Sequence, residues 1–221
     1  MKVKRIPVVS RVLEANDRMA GENRRRLAAA GVRAVNLISS PGAGKTALLE
    51  ASIPRLVPRV RVGVVVGDVA TTRDAERVAA LGVPAVQITT QSMGGACHLE
   101  AAAVRQALDR IDLSKLDLLV IENVGNLVCP AEFDVGEEAK VTLLSVTEGE
   151  DKPLKYPQAF RVAKLAVITK MDLVPHLRFD LEALRRNLRK VNPRLPVVEL
   201  SAQTGEGMEG WLSWLRGPGK A

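Results

Sequence analysis

The chain has 221 residues, of which 47% are hydrophobic and 26% are charged, and it carries a net charge of +7 and two cysteines. We therefore expect one globular domain with no disulfide framework, no signal peptide and no membrane span, since no apolar run approaches roughly 20 residues. The lack of such a run also predicts a cytoplasmic location and no membrane partner, and the positive net charge predicts an anionic ligand. Because basic residues are scattered and aromatic residues are few, we do not expect nucleic acid as a partner.

Helical segments alternate with short apolar strands along the chain. Ser10–Ala30 has a helical pattern, with an apolar side of Val12, Leu13, Met19 and Leu27. Strands are predicted at Ala34–Ser39, Val62–Val66, Ala85–Ile88, Leu116–Ile121, Val141–Val146, Leu165–Ile168 and Val197–Leu200. These runs do not alternate with polar residues, which is typical of parallel strands buried on both faces. The sequence predicts a three-layer α/β fold around a mostly parallel sheet of about seven strands.

The segment SSPGAGKTALLE, residues 39–50, directly follows the first predicted strand. It matches the phosphate-binding pattern G-x-x-x-x-G-K-[ST] except that Ser39 replaces the first glycine. In this motif backbone N–H groups bind phosphate, the lysine reaches the β- and γ-phosphates and the hydroxyl binds Mg²⁺. The predicted nucleotide-binding residues are Gly42, Ala43, Gly44, Lys45, Thr46 and Ala47. The alternative is a glycine-rich turn before a helix; the motif favours a P-loop NTPase fold.

Two later segments indicate which nucleotide is bound. ITKMD, residues 168–172, is similar to the [NT]-K-x-D signature of GTPases, with Thr169 in place of the usual asparagine. The carboxylate of Asp172 would accept hydrogen bonds from N1–H and the 2-amino group of guanine, which adenine cannot supply. ELSAQTG, residues 199–205, resembles the S-A-x-x-G loop on the other side of the base. Thr169, Lys170, Asp172, Ser201 and Ala202 are therefore predicted to bind GTP or GDP, with ATP as the minority case.

Acidic residues and a glycine at strand ends complete the predicted catalytic set. Glu122 lies at the end of the fourth strand, and Gly125 is spaced from it as in the D-x-x-G switch, whose N–H senses the γ-phosphate. Asp68 ends the second strand. With Thr46, both acids are candidates for holding Mg²⁺, and Asp68 also for orienting the attacking water. The predicted catalytic residues are Lys45, Asp68, Glu122 and Gly125. The alternative for Asp68 is that it only caps a helix. Asp74 is expected to be a structural residue in the first turn of its helix.

Three longer segments are more specific than the nucleotide motifs. They are CHLEA at 97–101, ENVGNLVCPA at 122–131 and DKPLKYP at 151–157, the last two within the segments ENVGNLVCPAEFDVGE and SVTEGEDKPLKYPQAF. With them the chain resembles, over nearly its whole length, the hydrogenase nickel-incorporation GTPases of the HypB family, which are SIMIBI-type P-loop GTPases. The resemblance implies GTP hydrolysis coupled to nickel delivery to [NiFe] hydrogenase. It also implies a nucleotide-dependent homodimer, and as partners a small nickel-binding accessory protein and the hydrogenase large subunit.

The resemblance further implies a metal site made of Cys97, His98 and Cys129 at the dimer interface. Thiolate and imidazole suit both Zn²⁺ and Ni²⁺, and a fourth ligand would come from water or a second chain. Cys129 follows Gly125 by four residues, so a rearrangement at Gly125 on hydrolysis would reach the metal ligand. The alternative is two buried thiols and a hydrogen-bonded histidine.

We expect 1–31 to be an N-terminal amphipathic helix packed on the domain, 32–216 the GTPase domain with its metal site, and 217–221 a loose tail. Lys152 and Lys155 are candidates for contacts with phosphate or guanine, within the chain or across a dimer, and a surface loop packed by Tyr156 is the equal alternative. His176 is expected to be merely exposed.

The residues alone leave three other functions open. The urease-maturation GTPases place a proline between cysteine and histidine, whereas Cys97 and His98 are adjacent. A P-loop small-molecule kinase would not need the two guanine motifs. A metal-binding scaffold that keeps nucleotide only for stability would tolerate loss of Lys45.

Overall fold

The computed structural model describes residues 8–57, 59–69, 72–91 and 97–217, and within these ranges seven strands form one sheet. The strands are β1 Arg33–Ile38, β2 Val62–Asp68, β3 Ala85–Thr89, β4 Leu118–Glu122, β5 Ala139–Ser145, β6 Leu165–Thr169 and β7 Val197–Glu199. Their order is β3-β2-β4-β1-β5-β6-β7, and each of these neighbouring pairs is parallel. The predicted α/β fold with about seven strands is confirmed, and the sheet is wholly parallel rather than mostly so.

Helices cover both faces of this sheet. They are α1 Val8–Ala29, α2 Lys45–Leu56, α3 Arg73–Ala79, α4 Ala101–Leu108, α5 Cys129–Glu132, α6 Lys152–Lys155, α7 Pro157–Arg161, α8 Leu181–Val191 and α9 Met208–Arg216. Val64 and Val66 of β2 belong to a buried cluster with α2 and α9, whereas Val65 belongs to another with α1 and α4. Because successive strand residues point to opposite faces, both clusters need apolar residues, which explains the unbroken runs of valine, leucine and isoleucine.

The buried face of α1 differs from the predicted apolar side. Leu27 is buried as expected, but Leu13 and Met19 are only half-buried, and the side chain of Val12 lies outside the described residues. Asn16 and Asn23 are buried instead and hydrogen-bond backbone groups at the start of α4 and before β5. The pattern of apolar residues misses this face because buried backbone groups need polar partners.

Several strand boundaries also differ from the predicted ones, by one or two residues. β4 begins at Leu118 rather than Leu116, because the chain before it makes a 3-10 turn at Leu113–Lys115. β5 begins at Ala139 rather than Val141. The division of the chain at residues 31 and 217 stays a prediction, and residues 1–7 and 218–221 lie outside the described residues. Within the described ranges, every helix is too short or too polar to span a bilayer.

Candidate nucleotide and metal sites

The carboxyl ends of the parallel strands carry nearly all predicted site residues. Such ends meet at one edge of a sheet, so loops after β1, β2, β4 and β6 converge there. Two cavities open at this edge. One, of about 430 Å³, lies between the loops after β1, β2 and β4, and the other, of about 510 Å³, lies between α2 and the loops after β6 and β7.

The phosphate loop runs from the end of β1 into α2. Gly42 and Gly44 have φ angles of 76° and 94°, which L side chains rarely adopt, and this curls the loop around the start of the helix. The Lys45 ammonium is buried and donates a hydrogen bond to Ser39 Oγ at 3.0 Å. Ser39, the departure from the usual glycine, therefore holds the lysine that the motif requires. Burial lowers the pKa of Lys45, although Glu122 opposes this shift most strongly.

A hydroxyl and a carboxylate meet on the wall of the smaller cavity. Thr46 Oγ1 donates to Glu122 Oε1 at 2.8 Å, and both side chains are buried. Glu122 Oε2 is buried and has no hydrogen-bond partner among the described residues. Asp68 lines the same cavity and accepts a hydrogen bond from the backbone N–H of Val69. This oxygen-rich set, with an unsatisfied carboxylate oxygen, fits the ligand preference of Mg²⁺.

A cluster of ion pairs beside the same cavity was not predicted from the sequence. Arg77 of α3 binds the Glu50 carboxylate through two nitrogens, at 2.6 and 2.8 Å, and Asp74 at 3.0 Å. Asp74, expected to be only structural, lines the cavity together with Arg77. The hydrogen bond to Glu50 is the main cause that raises the pKa of Arg77. The i,i+3 spacing of Asp74 and Arg77 is a sequence signal for their ion pair. The pairing of Arg77 with Glu50 has no such signal, because it arises only from packing between distant segments.

The larger cavity brings the predicted guanine-binding residues together. Thr169, Lys170, Asp172 and Ala202 line it, with Gly44 and Ala47 of the phosphate side. Asp172 Oδ1 accepts a hydrogen bond from Ser201 Oγ at 2.5 Å, so the second motif orients the carboxylate of the first.

The two nucleotide motifs are also tied to each other. Thr169 Oγ1 donates to the carbonyl of Ala43 at 2.7 Å, and Lys170 Nζ donates to the carbonyl of Gly42 at 2.7 Å. Lys170 has a φ of 61°, a strained value for a residue with a side chain, which its bond to the loop helps to offset. Threonine at position 169 thus anchors the phosphate loop.

The segment after β4 packs directly on the phosphate loop. A Cβ placed on Gly125 would lie 2.9 Å from the Cα of Pro41, so only glycine fits this approach. The next residue, Asn126, forms an isolated antiparallel β-bridge with Ser39. A change at either loop would therefore be transmitted to the other.

Three predicted metal ligands come together beside this segment. The ligand atoms of Cys97, His98 and Cys129 all lie within 4.8 Å of one another. The two sulfurs are 2.7 Å apart, and Cys97 Sγ is 3.8 Å from His98 Nδ1. The imidazole packs against the Phe133 ring at a tilt of 36°, with ring centroids 3.8 Å apart. Two thiols and an imidazole are a donor set for Zn²⁺ or Ni²⁺.

The protonation of these groups follows from their surroundings. Burial lowers the pKa of His98, which favours the neutral imidazole that binds metals, and its Nε2 is buried with no hydrogen-bond partner among the described residues. The hydrogen bond with Cys97 is the main cause that raises the pKa of Cys129, followed by burial. Metal binding at Cys129 would therefore release a proton.

Two asparagines connect the metal ligands with the segment after β4. Asn123 is buried, and its Oδ1 accepts a hydrogen bond from the backbone N–H of Leu99 at 3.1 Å. Asn126 Nδ2 donates to the carbonyl of Cys97 at 3.4 Å. Sequence reasoning missed both, since an asparagine beside a strand end carries no signal of its distant partner.

The remaining candidates lie on the surface. Lys155 pairs with Asp151 at 2.6 Å, and Lys152 lies 3.4 Å from Glu148 and over the Tyr156 ring. These local contacts favour a packed surface segment. His176 is exposed, as expected.

Glu122 gives the free protein a specific pH dependence. Burial raises the pKa of Glu122 to about 7 from 4.5, with Lys45 and Thr46 opposing the shift. The folded protein therefore binds this proton more tightly than the unfolded chain does. The stability that this proton contributes is fully present below pH 4.5 and is lost as pH rises through 7. Without nucleotide and metal, we expect the free energy of unfolding, relative to Glu122→Gln, to fall by about 2 kcal/mol between about pH 5 and pH 8. Urea denaturation of both proteins measures it, and identical pH profiles would contradict it.

Comparisons with known proteins agree with this geometry. The model of the CobW/HypB/UreG nucleotide-binding domain matches residues 33–199. The hydrogenase maturation factor HypB of Azotobacter vinelandii is 54% identical over 204 residues, which are 92% of this chain and 66% of that protein. This chain thus spans about two thirds of the length of that relative.

Solved structures give the same result. HypB from Archaeoglobus fulgidus is 42% identical with a TM-score of 0.85, and the match covers 93% of this chain and 98% of that one. HypB from Helicobacter pylori in complex with nickel is 40% identical with a TM-score of 0.86, covering 91% and 93%. Since the domain model matches most of the chain and the Archaeoglobus protein is matched over almost its entire length, this chain belongs to the HypB family of hydrogenase maturation factors.

Proposed function

We propose that this protein is a GTP-hydrolysing metallochaperone that delivers nickel during assembly of [NiFe] hydrogenase. The observation that carries the proposal is the position of Cys97, His98 and Cys129 beside the glycine segment that contacts the phosphate loop. The complex of the Helicobacter pylori relative with nickel supports nickel as the cargo. A soft-ligand cluster next to a nucleotide cavity fits cargo handling under nucleotide control.

For hydrolysis, each side chain of the smaller cavity has a role. The backbone N–H groups of residues 42–44 and the Lys45 ammonium would bind the phosphates, and Asp68 would orient the attacking water. Thr46, Asp68 and Glu122 would hold Mg²⁺ directly or through water. When bound, Mg²⁺ neutralises charge that develops on the transferred phosphoryl group.

Guanine selection is assigned to the larger cavity. The Asp172 carboxylate, oriented by Ser201, would accept hydrogen bonds from the base, with Ala202 and Lys170 beside it. This arrangement favours a GTPase over a P-loop small-molecule kinase. The urease-maturation alternative is less well supported, because the Azotobacter relative and both structures compared above are HypB proteins.

Nucleotide state and metal affinity would be coupled through residues 123–126. Gly125 would respond to the γ-phosphate, and Asn126 joins Ser39 of the phosphate loop to Cys97. Asn123, next to Glu122 in the chain, holds the backbone that follows His98. Any movement of this segment on hydrolysis would alter the spacing of the three metal ligands, which is a physical basis for release.

The same proposal includes partners. Three protein ligands leave a tetrahedral site one short, and a second copy of the chain across a twofold axis would supply the fourth in a nucleotide-dependent homodimer. A small nickel-binding accessory protein and the hydrogenase large subunit would be the donor and recipient of the metal. Two free thiols at a metal site fit a reducing cytoplasm.

Metal titration in two nucleotide states tests the function. We expect Ni²⁺ and Zn²⁺ to bind the purified protein with affinities that differ by about 5-fold or more between GDP and a non-hydrolysable GTP analogue. Cys97→Ala should weaken binding by about 100-fold, because it removes a ligand rather than a supporting contact. His176→Ala removes the other histidine of the chain and should change nothing.

The outcomes separate the parts of the proposal. Equal affinities in both nucleotide states would remove the coupling and leave a GTPase with an independent metal site. Binding that ignores Cys97→Ala would remove the metal site itself, and the role in nickel delivery would then have to run through partner proteins.

A further inference from the structure

Cys97 and Cys129 lie close to each other. Cys97 Sγ and Cys129 Sγ are 2.7 Å apart, compared with about 2.05 Å in a disulfide. Two thiolates on one tetrahedral metal with bonds of about 2.3 Å would lie about 3.8 Å apart, and in a square-planar site about 3.3 Å apart. Small side-chain rotations would bring the pair to either separation, so the same two thiols can share a metal ion or bond to each other.

The pair is held in this position by hydrogen bonds on both sides. Asn123 Oδ1 accepts from the N–H of Leu99 and fixes the chain after His98, while Asn126 Oδ1 accepts from the N–H of Val128 at 2.9 Å and fixes the chain before Cys129. Both asparagines belong to the same short segment after β4. The close approach of the sulfurs thus follows from the fold of this segment.

The two thiols differ in accessibility. Cys97 is exposed to solvent, whereas Cys129 is half-buried beneath it. Thiols that act as redox sensors are accessible and lie next to a second cysteine that can resolve the first oxidation product. Cys97 has the position of the reacting thiol, and Cys129 that of the resolving one.

We propose that Cys97 and Cys129 form a reversible intramolecular disulfide under peroxide, and that this bond excludes the metal. The Cys97 thiolate attacks one peroxide oxygen, which breaks the O–O bond, releases water and gives a sulfenic acid. The Cys129 sulfur then attacks the Cys97 sulfur, forms the S–S bond and releases a second water. In sum, two thiols and one hydrogen peroxide give one disulfide and two waters. A dithiol reductant returns both thiols.

The consequence for metal follows from the ligand count. Oxidation converts two of the three ligands into a bond with no thiolate to donate, leaving His98 alone, so any bound Zn²⁺ or Ni²⁺ must leave. The disulfide itself does not depend on the proposed function; only metal release rests on it.

Alkylation and intact mass test the proposal, because the chain contains only these two cysteines. The metal-free full chain is treated with hydrogen peroxide, denatured, and reacted with N-ethylmaleimide. We expect a monomer with a mass lower by about 2 Da and no maleimide label, and recovery of two labels after dithiothreitol. Cys97→Ser and Cys129→Ser each keep one thiol and should give sulfenic or sulfinic acid instead. Zinc-loaded protein, monitored with a metal indicator, should release its metal as the labels are lost.

Each result has one meaning. A treated protein that keeps two labels, gains oxygen on both sulfurs, or forms a disulfide-linked dimer on a non-reducing gel overturns the proposal. A disulfide that forms in a protein unable to bind Zn²⁺ or Ni²⁺ when reduced supports the redox pair and overturns the proposed metal function.

Discussion

Lys45→Ala is expected to lower the rate of GTP hydrolysis by about 100-fold or more. The ammonium is buried at the phosphate loop and is oriented by Ser39, so it would meet the phosphates with little reorganisation. Such preorganised charge stabilises the transition state far more than a mobile surface lysine does. Single-turnover phosphate release, with nucleotide affinity measured separately, distinguishes loss of chemistry from loss of binding.

A matched control removes a lysine at the opposite edge of the sheet. Lys115 lies before the amino end of β4, and its side chain is 78% exposed, so Lys115→Ala should leave hydrolysis unchanged. Thermal melts of both variants check the fold. Lys45→Ala is expected to fold, because it removes a buried charge whose desolvation opposes its ionisation. A folded Lys45→Ala protein with normal hydrolysis would contradict the assignment of the phosphate loop.

Asp172→Asn is expected to weaken GDP binding by a factor on the order of 10³ and to confer binding of xanthosine diphosphate. In the proposed site the carboxylate would accept hydrogen bonds from N1–H and the 2-amino group of guanine, whereas asparagine would place an amide donor against that amino group. Xanthine has an oxygen at position 2, which restores a donor–acceptor match. Ser201 can still hold the new side chain, since its hydroxyl donates to an oxygen in either case.

Fluorescence titration with labelled diphosphates measures this exchange. Asp17→Asn, at an exposed position on α1, is the matched control and should bind GDP normally. If Asp172→Asn binds GDP as tightly as the unchanged protein, the base lies elsewhere. If it loses GDP without gaining the xanthosine nucleotide, the substitution has disturbed the loop, and the tie between Thr169 and Ala43 would be the first contact to examine.

The departures from family motifs have a local explanation that sequence comparison could not give. Ser39 replaces a glycine and accepts the hydrogen bond of Lys45, and Thr169 replaces an asparagine and bonds the phosphate loop. In both cases a hydroxyl takes part in a contact between loops. The motif pattern records the departure, but only the packed structure shows which partner it acquires.

The sequence by itself determined the features that arise from consecutive residues. Unbroken apolar runs predicted the buried parallel strands, since such a strand needs apolar side chains on both faces, and glycine spacing predicted the phosphate loop, since its backbone angles exclude most side chains. The motifs around Asp172 and Ser201 could also be recognised from consecutive residues, because each lies in a single short loop at the end of one strand.

Only the tertiary structure decided the contacts between segments far apart in the chain. Asn16 and Asn23 lie on the buried face of α1, and Asn123 and Asn126 connect the nucleotide loops with the cysteines. A polar residue has the same local signature whether it faces solvent or satisfies a buried backbone group, so its partner is fixed only when the whole sheet and its helices assemble.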